Sequence, residues 1–99
     1  MASSTIKMGE IIYVDYELLV EDIIQSGGTL DKNKNVSLDG YTAIGIVTVW
    51  GSGTYGSQCL IQSRLLNNNR LAIFRIKNLG DGPTSDTTKI NFSVIYRKD

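Results

Sequence analysis

The side chains that most often carry chemistry are scarce in this sequence. It has no histidine, so the commonest general base and the commonest metal ligand are both missing. Cys59 is the only cysteine and sits in an apolar run with no partner to activate it, so it is expected to be buried and unreactive. Asp15, Glu17 and Glu21 would share one face of a strand, with Asp22 beside them, and in principle that face could hold a hard cation. Calcium-loop spacing is lacking, however, and a solvated strand face is the expected reading. Gly51, Gly53 and Gly56 follow a strand as a phosphate-cradling loop would, but a further strand comes next where the anion-binding helix should be. These residues predict no catalytic residue, no metal site and no cofactor.

Aromatic and hydroxyl-bearing residues offer more. Trp50 and Tyr55 flank the glycine-rich loop, and Tyr41 opens the strand that leads into it. Flat rings with polar tips suit saccharides or protein partners, although the plainer expectation is that Trp50 finishes a core face shared with Ile44 and Ile46 and that Tyr41 is likewise a core residue. Tyr55 is the loop's one large side chain, expected at a free tip on a rigid base. The segment Leu79 to Thr88 carries Asp81, Thr84, Ser85, Asp86 and Thr87, which suit hydroxyl recognition by hydrogen bonding. The candidate ligand-binding set is therefore Tyr55, Trp50, Tyr41, Asp81, Thr84 and Asp86.

The elements that must position these residues read as strands. Tyr41 to Trp50 alternates, sending Ile44, Ile46, Thr48 and Trp50 to one face and Ala43, Gly45, Val47 and Val49 to the other. Both sets are largely apolar, which predicts cover on both faces, the second from another copy of the chain. Gly51 to Gln58 is a loop. Cys59 to Leu66 and Arg70 to Asn78 form a hairpin about Asn67-Asn68-Asn69, because asparagine tolerates the left-handed conformation. Ile90, Phe92, Val94 and Tyr96 alternate with polar residues in a closing strand. Upstream, Ile12, Val14, Tyr16, Leu18 and Val20 recur at period two, and β-branched and tyrosine content favours a strand over the helix that Ile12, Tyr16, Leu19 and Ile23 would also allow. Ser26-Gly27-Gly28 is a turn, and Thr29 to Leu38 an edge strand or extended loop. The fold class that follows is all-β, an antiparallel β-sandwich, jelly-roll-like, of seven or eight strands over residues 10–99, with residues 1–9 as a tail or linker.

Composition narrows the function. The chain has 99 residues, 41% of them hydrophobic, enough for one domain with one core. Ten basic residues balance ten acidic ones, which argues against nucleic-acid binding and against electrostatic docking on a membrane. A near-neutral chain is poorly protected against self-association. Neither a membrane span nor a signal peptide is read in it, so synthesis in a cytoplasm is expected.

From Ser26 to Lys98 the layout resembles the small C-terminal head domains of phage and prophage tail-fibre or baseplate proteins. The resemblance rests on SGG, then DGYTAIGIVTVWGSG, then a strand–Asn-turn–strand pair ending RLAIFRIKNLGD, then KINFSVIYRK, with Gly40, Tyr41, Thr42, Ile44, Gly45, Ile46 and Val47 as its most specific element. It implies a homotrimeric β-sandwich knob on a virion, made in the cytoplasm of a bacterial host. Such a knob either binds a host-surface saccharide or protein as a receptor-binding head, or serves as a structural oligomerisation, decoration or capping module with no ligand. Other tail or surface proteins of the virion are implied partners. The family brings no catalytic or receptor-contact residue to carry over, and the long upstream stalk usual there is not seen.

Overall fold

In the computed structural model, residues 10–99 are described, so the expected tail at 1–9 lies outside the described residues. Six strands occur among them: β1 (Ile11–Leu19), β2 (Thr29–Asn35), β3 (Tyr41–Ser52), β4 (Cys59–Leu66), β5 (Leu71–Asn78) and β6 (Lys89–Lys98). Seven or eight were expected. The segments read as strands in the sequence are the six that form; Val20 to Gly28 and Leu79 to Thr88 add no further strand, bonding instead to each other and to the ends of the existing ladders. A single turn of 3-10 helix spans Gly56–Gln58.

The strands make two antiparallel three-stranded sheets, ordered β1-β6-β3 and β2-β5-β4. Period-two alternation explains the core of the first. Ile12, Val14, Tyr16 and Leu18 of β1 stand opposite Tyr96, Val94, Phe92 and Ile90 of β6, and the β6 set is 0–2% exposed. Ala72, Phe74 and Ile76 of β5 supply the facing layer. Phe92 joins the layers: it stacks on Tyr16 at 5.2 Å and meets Phe74 of the other sheet at 4.7 Å, tilted by 54°. The result is a sandwich-like pair of sheets over one core.

The hairpin turn is as expected. Asn67, Asn68 and Asn69 have φ of 54°, 57° and 62°, the left-handed region that asparagine enters most readily among residues with a side chain. The alternation expected for β3 fails. Two register shifts against β6, at Ala43/Gly45 and Ile46/Thr48, each insert a residue and reset the faces. Ala43, Ile46 and Val49 therefore point to the core, while Ile44, Val47 and Trp50 are 42%, 50% and 56% exposed. Trp50 does not share a core face with Ile46.

Candidate functional site

The loops at one end of the sandwich are where most of the candidate ligand-binding residues were expected. Their polar groups are largely spent on one another. Asn78, at the end of β5, is fully buried. Its Nδ2 donates to the carbonyls of Ile24 (3.0 Å) and Gly82 (2.8 Å), and its Oδ1 accepts from Gly80 N–H at 2.8 Å. Thr84 is 2% exposed, and its Oγ1 accepts from Ile24 N–H at 2.8 Å. Thr84 thus joins two loops from within and presents no hydroxyl to a ligand.

Tyr55 does not stand at a free tip. Its ring lies on the backbone of Gly80 and Gly82, so close that a Cβ at either glycine would come within 2.5 Å or 2.7 Å of ring carbons. The two loops proposed as alternative binding surfaces are packed on each other. Gly51 serves the same packing, since a Cβ there would sit 2.3 Å from the carbonyl oxygen of Gly56. Cys59 is half-buried, less enclosed than expected. Partial burial raises its thiol pKa, and its Sγ lies 3.5 Å from the Tyr55 carbonyl. Asp81 and Asp86 stay exposed at the loop surface. Tyr41 lies at the opposite end, half-buried, on the rim of an open polar bowl that Asp39, Asn68, Arg70 and Asp99 also line.

Trp50 is placed differently from all of these. It stands on the outer face of the β1-β6-β3 sheet in register with Asn91 of β6, which is in turn in register with Glu17 of β1. One step along the strands, Thr48, Ser93 and Asp15 form the next cross-strand row. Together Trp50, Asn91, Ser93, Asp15 and Glu17 line an open depression of about 480 Å³. Ser93 Oγ donates to Asp15 Oδ1 at 2.5 Å, Lys89 Nζ bonds Glu17 Oε2 at 3.3 Å, and Asn91 Nδ2 donates to Ser52 Oγ at 3.2 Å. These bonds hold the polar groups upright around an exposed indole, leaving carboxylate and amide lone pairs free to accept further bonds.

Asn91 and Ser93 were missed in the sequence because they occupy the polar side of an otherwise unremarkable closing strand. Asp15 and Glu17 were noticed only as cation candidates with Glu21. That trio does not assemble: Glu21 lies past the end of β1 with φ of 68°. Among the described residues no group of three or more metal-ligating side chains comes together. The signal that would have linked Trp50 to β1 and β6 is the sheet order, which pairs residues 37 to 86 positions apart.

The outer face of the other sheet has a different character. Arg75 forks onto Asp31 at 2.9 and 3.2 Å, and this charged hydrogen bonding holds the Asp31 carboxyl below its ordinary pKa. No aromatic ring stands there. Comparison with known protein families, with curated proteins and with solved structures finds no match for this chain.

Proposed function

We propose that this chain is a non-enzymatic binding head that takes a saccharide on the outer face of the β1-β6-β3 sheet, around Trp50. One observation carries the reading: a 56% exposed indole flanked in register by an amide and a carboxylate, with a hydroxyl and a second carboxylate in the next row. A sugar ring offers an apolar face to an aromatic plane and hydroxyls around its rim to hydrogen-bond acceptors. The lack of histidine favours binding over catalysis, and the balance of charge disfavours a nucleic-acid ligand.

Resemblance to phage tail-fibre and baseplate heads supplies the setting: a virion protein made in a bacterial cytoplasm, with a host-surface saccharide as ligand. The strand order supports a jelly-roll relationship as well. Three ribbons, β1–β2, β5–β6 and β3–β4, each cross from one sheet to the other and lie side by side, as in a jelly roll lacking one hairpin.

The test is binding of the purified protein to host-envelope polysaccharides, by glycan array and then calorimetry. Trp50→Ala is expected to abolish binding while shifting stability by less than about 0.5 kcal/mol, because the ring is largely solvent-exposed. Tyr55→Ala should leave binding intact. Equal binding by the parent and Trp50→Ala would sink the proposal. No binding to any envelope saccharide would favour the capping module.

A further inference from the structure

Each sheet ends in two edge strands, and an edge with unpaired amides invites another strand unless something blocks it. Three of the four edges here are protected. β2 turns Lys32 and Lys34 inward, opposite Phe74 and Ala72, and an inward charge deters pairing. β3 carries the two bulges. β4 runs alongside β3, so each of those two shields the other's outer side.

Among the described residues, β1 has no such protection. Its nine residues pair with β6 in unbroken register, with no proline, no glycine and no inward charge. Val20 N–H donates to the Thr88 carbonyl directly across from it at 2.9 Å. By the alternation of an antiparallel ladder, the even-numbered residues of β1 therefore bond to β6. The amides of Ile11, Tyr13, Asp15, Glu17 and Leu19 face outward. The core is also thinner on this side: Ile12, Val14, Tyr16 and Leu18 are only half-buried, whereas their partners on β6 are 0–2% exposed.

We infer that β1 is a docking edge for β1 of a second copy, forming a two-fold dimer through one continuous six-stranded sheet, in place of the homotrimer that the tail-fibre resemblance implies. The sequence of β1 selects the register. Centring the pair on Asp15 would set two carboxylates face to face, which is unfavourable. Centring it on Val14 pairs Val14 with Val14 and Ile12 with Tyr16 on the core side, and Tyr13 with Asp15 on the outer side. The odd residues then make the hydrogen-bonded pairs, as their outward amides require. A two-fold contact uses the same edge twice and closes, so it does not propagate into a filament. Net charge of zero leaves no long-range repulsion to oppose it. Both outer faces lie on one side of the joint sheet, placing the two Trp50 residues five strand spacings apart across it, roughly 24 Å, and about six residues, roughly 20 Å, apart along it. The dimer does not depend on saccharide binding.

Light scattering of the full chain at micromolar concentration tests this, with a mass near twice 10.9 kDa expected. Tyr13→Pro removes an outward N–H and leaves the β6 ladder intact, and should give a folded monomer with an unchanged β circular-dichroism spectrum. Should that variant fail to fold, two others bear on the same contact. Tyr13→Asp sets a carboxylate opposite Asp15 of the second copy and should weaken the dimer at least tenfold, while Tyr13→Lys should tighten it. A monomeric or trimeric parent overturns the inference. So does a dimer equally insensitive to Tyr13→Asp and Tyr13→Lys.

Discussion

The two ends of the sandwich handle polar residues in opposite ways. At one end, three loops converge on Asn78, Thr84 and Thr88, all buried, and their side chains bond to backbone in Val20–Gly28 and Leu79–Thr88. At the other end, Asp39, Asn68, Asn69, Arg70 and Asp99 ring an open bowl whose connections are short turns. The first end is the richer in loop residues, and by composition it looks like the place for recognition. Its polar groups are instead consumed in closing the end of the core. A polar loop is a binding surface only when its hydrogen-bonding capacity is left over after the fold is satisfied.

The sharpest way to break this contrast is at Asn78. Asn78→Ala leaves the Gly82 carbonyl and the buried Gly80 N–H without partners and strips one of the two hydrogen bonds from the Ile24 carbonyl, which keeps Thr84 N–H; it should destabilise the protein by about 3 kcal/mol. Urea unfolding measures this, and a loss below about 1 kcal/mol would mean that water replaces the amide and that the end is not sealed.

The open end has one buried polar clasp of its own. Tyr96 Oη donates to the Val36 carbonyl at 2.6 Å and bonds the Tyr16 hydroxyl. Burial, aided by the Tyr16 hydrogen bond, raises the Tyr96 phenol above its ordinary value of 10. The unfolded chain then loses this proton at lower pH than the folded one does. Its contribution is complete below pH 10 and declines above it, by up to about 1.4 kcal/mol per pH unit. Unfolding free energy measured between pH 9 and 11 should turn downward near 10, and Tyr96→Phe should flatten that part of the slope.

The smallest effect is expected at the turn. Asn68 holds φ of 57°, so Asn68→Ala should cost about 1 kcal/mol and Asn68→Gly close to nothing, read from paired thermal melts. If alanine costs no more than glycine, the turn relaxes out of the left-handed region and the bowl it borders is not a fixed shape.

Much of this architecture was legible because it is local. The alternation of Ile90, Phe92, Val94 and Tyr96 is a property of neighbours, and so is the turn-forming habit of three consecutive asparagines. β3 misled because a bulge leaves little trace in composition: Gly45 hints at one, but nothing marks the second at Ile46/Thr48. Period two was carried through both and put Trp50 on the wrong side. Thr84 misled for another reason. Its hydroxyl is committed to Ile24, 60 residues away, and that partner exists only in the folded chain. The Trp50 surface needed both corrections: the face from the bulges, the neighbours from the sheet order.

The order β1-β6-β3 also decides how the protein would carry a mechanical load. β1 and β3 both run antiparallel to β6, so they point the same way. Ile11 begins β1 opposite Arg97, while Trp50 lies near the far end of β3 opposite Asn91. A pull between Ile11 and Trp50 therefore runs along the strands and strains both ladders in shear, many hydrogen bonds at once. A pull between Ile11 and Lys98 would peel the β1–β6 ladder open one pair at a time. The same sheet is stiff to tension applied through its outer face and weak to tension applied across the adjacent start of β1 and end of β6.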